Sequence, residues 1–413
     1  MKLEKFSVGC GDRFGMEAEA QLEAFRNIND DGIYVVPVWN KSYREHQTIG
    51  TNPDSVKAAV EKAVKNTGWK LPWHVDADHI NFNTAELFIK SSDFFTLDVA
   101  GSIGAPADAA FVNDFIRKHN NLIDKEIHIN GLGKPLFIDL EYARRITEKY
   151  LPAAQEAGKI YRLIREKKKD FIAEVSMDET STPQQPAELL LILAMIASEG
   201  IPAQTIAPKF SGRFNKGVEY AGNINDFERE FEADVLIIDY AVKEFGLPEN
   251  LKLSIHSGSD KFSIYPVINR IIKKHNAGLH LKTAGTTWLE EIIGLAEAGG
   301  SGLVLAKDIY REAYKRKDEL CAPYSDVIDI KEDRLPAPDI VDSWDSVAFV
   351  KTLRHNSTEK LYNADFRQLI HVGYKIAAEK GPEYINALSE HRKFIAENTA
   401  FNLYERHMKP LFL

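Results

Sequence analysis

Two histidines lie at or near the ends of strand-like apolar runs, in positions suited to chemistry. His256 follows the run 251–255 and precedes Ser257 and a glycine, and His280 lies in a second such run. A parallel strand that ends in histidine and turns into a helix places an imidazole at the mouth of the sheet. Imidazole is the commonest neutral nitrogen ligand of divalent metals. The pair predicts a metal site, with Ser257 as a candidate substrate contact.

Ionisable residues cluster at the end of the third predicted strand. His74, Asp76 and Asp78 share one face of an extended chain, and His79 falls at the turn into the next loop. Burying so many ionisable groups is costly unless they have a use. The pattern favours an acid/base carboxylate beside a metal-binding imidazole. The alternative is an Asp–His hydrogen-bond network that only braces the fold.

Carboxylates also follow the fifth predicted strand. Glu174, Ser176 and Asp178 share a face there, and Glu179 leads the following loop. A carboxylate at this end of a strand ligates a metal or transfers a proton. The competing interpretation is that Asp178 only caps the next turn or helix. Asp178 and Glu179 are both candidate catalytic residues, and the pattern does not choose between them.

Basic residues and a glycine-rich loop supply candidate contacts for an anionic substrate. Lys282 points the same way as His280, in an arrangement like that of Schiff-base aldolases, and Lys209 ends the sixth predicted strand. Either lysine alternatively lies along the surface with its ammonium in solvent. The first loop contains Asp12 and Arg13 among glycines that allow close backbone approach, and a guanidinium fits carboxylate or phosphate. Its glycine spacing is not that of a dinucleotide-binding loop.

A repeating strand–helix pattern must position these residues. Alternation over the first three hundred residues predicts a mainly parallel sheet, and eight strands suit a TIM-type (β/α)8 barrel. The candidate strands are 5–8, 34–39, 73–78, 94–99, 171–177, 204–207, 251–256 and 279–283. A further apolar run at 302–306 leaves the strand count open. Proline and glycine punctuation predicts helices at 53–66, 186–199 and 226–245.

Two segments depart from this repeat. A helical excursion at about 113–169 separates the fourth and fifth strands, and the chain after 331 begins with a proline-rich linker and then becomes helical. We predict a metal-dependent barrel domain at 1–330 that contains this insertion. A helical C-terminal extension at 331–413 is predicted to pack on the barrel. Its helices from Trp344 either cap the barrel or pair the subunits of a homo-oligomer.

Composition restricts the class of protein. The 413 residues are 44% hydrophobic and 27% charged, which suits a globular protein with a sizeable core. A net charge of −9 argues against non-specific nucleic-acid binding but leaves an anionic small molecule open. Two cysteines form no disulfide framework. Without an apolar run of roughly eighteen residues or a signal-peptide core, we predict a soluble cytoplasmic protein that binds no membrane.

Three motifs together resemble the tagaturonate/fructuronate epimerase family. They are residues 8–15, 74–79 and 255–263, and the similarity runs from the first loop to about Lys307. Each motif is weak alone, and the three together are fairly specific. Members of that family are metal-dependent enzymes of hexuronate catabolism that interconvert D-tagaturonate and D-fructuronate. The resemblance implies an isomerase that acts on a small ketohexuronate.

The resemblance also implies roles for individual residues. His79, His256 and His280 would ligate a divalent cation, whose identity among Zn, Mn, Ni and Fe stays open. Asp78 would be the proton acceptor. Asp178 or Glu179 would be the donor.

A retro-aldol route explains why such an enzyme needs a metal. The inverted carbinol carbon is β to the ketone, so its hydrogen is not acidified. We hypothesise that Asp78 takes the hydroxyl proton, that the bond to the carbon beside the ketone breaks, and that a metal steadies the enediolate. The aldehyde fragment then rotates while Arg13, Lys209 or Lys282 holds its carboxylate. A Schiff-base aldolase using Lys282 and a non-catalytic sugar-acid binding protein are the alternatives.

Overall fold

A closed barrel of eight parallel strands forms the centre of the molecule, which confirms the predicted (β/α)8 fold. The computed structural model describes residues 1–178, 180, 182–257 and 259–413. Its strands are β1 (Phe6–Gly11), β2 (Val35–Ser42), β3 (His74–Ile80), β4 (Phe94–Asp98), β5 (Glu126–Ile127), β6 (Leu136–Phe137), β7 (Ile172–Ser176), β8 (Thr205–Ala207), β9 (Lys252–Ile255) and β10 (Leu279–Leu281). The barrel order is β1, β2, β3, β4, β7, β8, β9, β10, closing on β1, while β5 and β6 pair antiparallel outside it.

Helices surround the barrel and form the whole C-terminal part. The α-helices are α1 (Ala18–Asp30), α2 (Tyr43–Ile49), α3 (Asp54–Thr67), α4 (Ala85–Phe88), α5 (Ala109–Lys118), α6 (Leu140–Lys167), α7 (Pro186–Ser198), α8 (Ile224–Phe245), α9 (Tyr265–Lys274), α10 (Thr287–Ala298), α11 (Gly300–Lys315), α12 (Lys317–Cys321), α13 (Pro338–Asp342), α14 (Ser346–Leu353), α15 (Ala364–Val372), α16 (Tyr374–Lys380), α17 (Pro382–Glu390), α18 (Arg392–Phe401) and α19 (Lys409–Phe412). Short 3-10 turns occupy Ala100–Ser102, Asn120–Leu122, Phe262–Ile264, Ala322–Tyr324 and Glu332–Arg334, and Asn402–Met408 is a π-helix. Of the helices in the described residues, none is long and apolar enough to cross a membrane.

The sequence pattern located the barrel elements well. All eight candidate strands overlap a barrel strand, and the three predicted helices correspond to α3, α7 and α8. The apolar run at 302–306 is part of α11 instead of a strand. Periodicity over so short a run does not separate a buried helix from a strand, which is why the count stayed open.

The segment between β4 and β7 contains one long helix. The 28-residue α6 fills most of the predicted excursion and buries one face against α7 and β4, as a crossover helix of a barrel does. The added parts that precede it are α5 and the β5–β6 pair. The domain limits and the insertion at 113–169 stay predictions.

Two apolar cores hold the molecule together. One fills the barrel and its helices, and Leu403, Met408, Leu411 and Phe412 from the C-terminus pack into it. The other runs from Trp288 to Ile395 and joins α10 and α11 to the later helices. The C-terminal helices therefore share their core with the last barrel helices, which fixes them over one side of the barrel.

His74 lies among carboxylates at the N-terminal end of the barrel. Its Nδ1 is 3.0 Å from Asp93 Oδ2, and its Nε2 is 3.3 Å from Glu4 Oε2. Burial opposes the charged imidazole, but Asp93 and Glu4 outweigh it and raise the pKa of His74 to about 9. This raised pKa stabilises the folded state fully below the ordinary histidine pKa of about 6.5, and the contribution is lost as pH rises through about 9.

We therefore expect His74→Gln to destabilise the protein more at pH 6 than at pH 10. The shift in pKa corresponds to a difference of up to roughly 3 kcal/mol in the free energy of unfolding. Urea unfolding at the two pH values measures it. His128→Gln, at a side chain that is 76% exposed, is the control and should show no such difference. Equal destabilisation by His74→Gln at both pH values would contradict the expectation.

Candidate active site

The carboxyl ends of the barrel strands open into a cavity of about 510 Å³. Active sites of (β/α)8 barrels occupy this end of the fold. Ionisable side chains on barrel strands or close after them line the cavity, among them Asp78, His79, Asp98, Asp178, His256 and Lys282. The structure thus brings together candidates that are two hundred residues apart in the sequence.

Three of these side chains converge closely enough to hold a metal ion. His79, Asp178 and His256 each offer a ligand atom, and these atoms lie within 4.8 Å of one another. The two imidazole rings have centroids 5.0 Å apart. His256 Nδ1 is buried without a hydrogen bond to any described residue and lies 3.3 Å from Asp178 Oδ2. Two imidazoles and one carboxylate are a donor set that suits Zn or Fe, so the residues present fit a divalent cation.

An irregular strand end positions His79. The pairing of β3 with β4 shifts register between Ala77 and Ile80, and His79 has a φ of 49°. Neighbouring side chains on a regular strand point to opposite faces, yet Asp78 Oδ1 and His79 Nδ1 are 2.8 Å apart. Backbone conformations of this kind are uncommon outside glycine and concentrate at functional sites. The irregularity lets both side chains face the cavity.

Opposite charges set the ionisation of this cluster. Burial acts to raise the pKa of Asp78, but His79, Lys282 and His256 outweigh it and hold the pKa below its usual value. Burial likewise acts to lower the pKa of His256, but Asp178 and Glu174 raise it to about 10. Without a cation, the cluster is therefore an array of carboxylates and imidazolium groups that neutralise one another.

Lys282 lies at the centre of a buried ionic network below this cluster. Its Nζ contacts Asp76 and Thr96, and it is 3.3 Å from both Asp78 Oδ1 and Glu174 Oε1. Burial acts to lower the pKa of Lys282, but Asp76, Glu174 and Asp78 raise it well above the ordinary value. A permanently protonated amine is a poor nucleophile, so this geometry does not support a Schiff-base aldolase.

We expect Lys282→Met to destabilise the protein strongly. The substitution leaves two fully buried carboxylates, Asp76 and Glu174, without their common cation. Removing one partner of a buried ion pair costs about 3–5 kcal/mol of unfolding free energy. Urea denaturation measures this loss, and Lys282→Arg, which keeps the charge, should recover part of it. Unchanged stability of the methionine variant would show that the network does not hold the barrel together.

His280 does not join the cluster. It is fully buried, its Nδ1 is 2.9 Å from Ser7 Oγ, and its ring packs against Phe94. Burial is the main reason that its pKa falls to about 3. His280 lies on β10, and Lys282 follows the end of that strand. The spacing of two residues places His280 roughly 7 Å deeper in the barrel than Lys282. The shared strand face was inferred correctly, but height along the barrel axis separates His280 from His79 and His256.

The glycine-rich first loop is built around two structural contacts. A Cβ atom on Gly9 would lie 1.7 Å from the carbonyl oxygen of Lys282, so only glycine fits there. The carboxylate of Asp12 accepts hydrogen bonds from the backbone N–H groups of residues 15, 16 and 17. Arg13 lines the cavity, but its Nε donates to Glu45 Oε1 at 2.8 Å. Asp12 and Arg13 thus shape the loop, and their role as substrate contacts stays a prediction.

The other two predicted substrate contacts lie away from the cavity wall. Ser257 is buried, donates to the Thr283 carbonyl and accepts from the Ser259 N–H. Lys209 follows β8 and is absent from the described lining of the cavity. Its backbone N–H donates to Gln184 Oε1. Glu179, the second candidate proton donor, lies outside the described residues.

The residues after His256 anchor the C-terminal helices. Asp260 is fully buried, and its carboxylate lies 2.6 Å from Arg367 Nη2, 3.2 Å from His355 Nδ1 and 3.3 Å from His407 Nε2. Among the described residues of this motif, His256 alone lines the cavity. The rest of the motif ties the loop after β9 to helices more than ninety residues later.

Sequence reasoning missed several cavity residues, and two of them are charged or polar side chains far from any strand end. Lys216, in the long loop after β8, and His371, on α15, both line the cavity. Lys216 lies in a long loop and not at a strand end, so the strand pattern did not point to it. A lysine beside a glycine in that loop was the available sequence signal. No local signal identified His371, because only tertiary packing brings α15 to the mouth of the barrel.

A barrel whose strand ends gather imidazoles, carboxylates and an ammonium around one cavity defines a (β/α)8-barrel enzyme. A family model described as tagaturonate epimerase (UxaE) matches residues 1–409. The chain belongs to the tagaturonate epimerase family, whose members are isomerases that act on carbohydrates.

Individual relatives agree with this assignment. The chain is 27% identical over 381 residues to the tagaturonate/fructuronate epimerase of Thermotoga maritima, covering 89% of this chain and 72% of that protein. A glycerol-complexed crystal structure of the fructuronate-tagaturonate epimerase of Cohnella laeviribosi superposes with a TM-score of 0.82 at 25% identity, covering 100% of this chain and 82% of that one. The native crystal structure of that enzyme gives a TM-score of 0.80 at 24% identity, covering 100% of this chain and 82% of that one. These matches confirm the resemblance drawn from the three motifs.

Proposed function

We propose that this chain interconverts D-tagaturonate and D-fructuronate with a divalent cation held by His79, His256 and Asp178. The observation that carries the metal site is the convergence of three ligand atoms within 4.8 Å at the catalytic end of the barrel. This set replaces His280 with Asp178, because His280 lies deeper and bonds Ser7. A cation bound there would act as a Lewis acid on the oxygens of the substrate.

Asp78 is the group best placed to take a proton from the substrate. Its Oδ1 faces His79 Nδ1 and Lys282 Nζ, and its Oδ2 has no hydrogen bond to a described residue. This free oxygen is available to accept the proton of the hydroxyl on the inverted carbon. The ammonium of Lys282 keeps Asp78 in place, and Asp76 and Glu174 keep that ammonium in place.

The proposed reaction breaks and re-forms one carbon–carbon bond. When Asp78 takes the hydroxyl proton, the electron pair of the bond beside the carbinol carbon moves towards the ketone, giving an enediolate and an aldehyde. The aldehyde fragment carries the carboxylate. It rotates, the enediolate attacks its other face, and the new alkoxide gains a proton. Asp178 is assigned to the metal site in this proposal. Glu179 therefore remains a predicted donor of that proton.

Two measurements test this proposal at different levels. Purified protein with added Mn²⁺ or Zn²⁺ should convert D-tagaturonate into D-fructuronate, followed by NMR, and absence of conversion would refute the activity. In deuterated water the product should carry no obligatory label at the inverted carbon. A label there would refute the retro-aldol route and leave the epimerase activity intact. The preferred metal, a homo-oligomeric state and a cytoplasmic location stay predictions.

A further inference from the structure

The cations around the cavity differ in how far they are already neutralised. Lys282 contacts three carboxylates, Arg13 pairs with Glu45, and Lys41 Nζ donates to the Arg13 carbonyl and to Thr51. Within the described residues, the Nζ of Lys216 makes no hydrogen bond and no ion pair, although Lys216 lines the cavity. Its ammonium is therefore open to an anion that enters the cavity.

The backbone around Lys216 is held rigidly. Lys261 Nζ donates to the carbonyls of Asn215 and Val218 at 2.8 and 2.7 Å. Arg367 Nε donates to the Gly217 carbonyl at 2.6 Å, and the Lys216 N–H donates to the Val327 carbonyl at 2.8 Å. The side chains of Lys261 and Arg367 and the Lys216 N–H thus hold this loop in place by hydrogen bonds. A loop fixed in this way presents its side chain with little loss of entropy on binding.

His371 lies beside this loop, and its imidazole makes no hydrogen bond to a described residue. Its side chain is 4% exposed and lines the cavity, and its Nδ1 has no hydrogen bond to a described residue. A Cβ on Gly217 would lie 3.3 Å from its ring, so the imidazole packs directly against the Lys216 loop. A buried polar atom without a partner destabilises the free protein, and a hydrogen bond from a ligand would offset that loss.

We propose that Lys216 and His371 together form the subsite that binds the carboxylate of the substrate, so that the C-terminal helices contribute directly to substrate specificity. This inference rests on the proposed function, since it assigns an end of the cavity to the anionic end of a ketohexuronate. One ammonium with one neighbouring imidazole matches the single negative charge and the two acceptor oxygens of a carboxylate. In the retro-aldol route, this subsite holds the carboxylate of the rotating aldehyde fragment and keeps that fragment from leaving.

The neighbouring charges agree with an anion at this end. Burial, followed by Arg13 and Lys216, lowers the pKa of His371 well below its ordinary value, so the imidazole is neutral and donates one N–H. Burial, together with Arg13 and Arg44, lowers the pKa of Lys216, while Glu45 and Asp78 are nearby carboxylates that favour its charged form. Since Glu45 already accepts from Arg13, and Asp78 faces His79 and Lys282, neither carboxylate pairs with the Lys216 ammonium.

The test compares Lys216→Met, Lys216→Arg and His371→Leu in the full-length protein with bound metal. We expect Lys216→Met to raise the KM for D-tagaturonate roughly 10- to 100-fold, with a smaller change in kcat, because a charge-assisted hydrogen bond is lost. Lys216→Arg should recover most of that loss, and His371→Leu should raise KM roughly 3- to 10-fold. Lys243→Met, at an exposed ion pair on α8, is the matched control and should change neither constant.

A second readout separates carboxylate binding from a structural role. Competitive inhibition by D-gluconate should weaken in Lys216→Met by the same factor as KM rises, whereas inhibition by the neutral alditol D-glucitol should not change. Equal weakening of both inhibitors, no KM effect, or loss of thermal stability without arginine rescue would each overturn the proposal for Lys216. An unchanged KM in His371→Leu would overturn the part played by the C-terminal helices. Wild-type protein that fails to epimerise D-tagaturonate would instead refute the proposed function.

Discussion

Removal of the metal by a chelator is expected to lower the rate of tagaturonate epimerisation by roughly a thousandfold or more. Lewis-acid stabilisation of a developing charge contributes several kcal/mol, and each 1.36 kcal/mol is a factor of ten in rate. Added Mn²⁺ or Zn²⁺ should restore the rate. Chelation should also lower the melting temperature, because a cation that binds only the folded chain stabilises it. A rate that survives complete chelation, checked by elemental analysis, would contradict the metal requirement.

Three variants then identify the ligands. Asp178→Asn and His256→Gln should each reduce the bound metal, since each removes one of the three converging ligand atoms. His280→Gln should keep the metal content of the wild type, because His280 lies deeper in the barrel against Ser7 and Phe94. Metal lost from the His280 variant and kept by the Asp178 variant would restore the three-histidine site that the resemblance implied.

Replacement of Asp78 by asparagine is expected to lower kcat by roughly 10²- to 10⁴-fold. The carboxamide does not take up the hydroxyl proton, and a positioned general base contributes a factor of that size. The KM for tagaturonate should change little, because Asp78 is proposed to take part in proton transfer and not in substrate binding. Steady-state kinetics measures both constants.

The metal content of Asp78→Asn decides between two roles for this residue. It should equal that of the wild type if Asp78 is the base and not a ligand. Asp239→Asn makes the same substitution at an exposed side chain on α8, where it should leave kcat unchanged. An asparagine variant of Asp78 with wild-type kcat would require another base.

The barrel was predictable because its signals are local. Each strand is a short apolar run bounded by turn residues, and helices such as α7 begin at a proline and end just before a glycine. Parallel strands must place their carboxyl ends at the same end of a barrel. Residues at strand ends, such as Asp78, His79, Asp178 and His256, were therefore correctly gathered into one cavity.

Height and direction within the barrel were not predictable from spacing. His280 shares a strand face with Lys282 but lies one layer deeper, and His79 reaches the cavity only because β3 is irregular at its end. Neither the register between strands nor a positive φ leaves a clear trace in one sequence. The interpretation of Lys282 as a nucleophile is not supported for the same reason, since the carboxylates around its ammonium come from two other strands, β3 and β7.

The sequence by itself determined the barrel, the family and the residues that cluster at its mouth, because strand ends and motifs are properties of neighbouring residues. Only the tertiary structure decided which of them lie close enough together to hold a cation, as His79, Asp178 and His256 do, and which brace the fold. It also decided that a loop after β8 and a helix near the C-terminus bring Lys216 and His371 to the cavity. The positions of these two side chains depend on buried ion pairs such as that of Asp260 with Arg367, which join segments about a hundred residues apart.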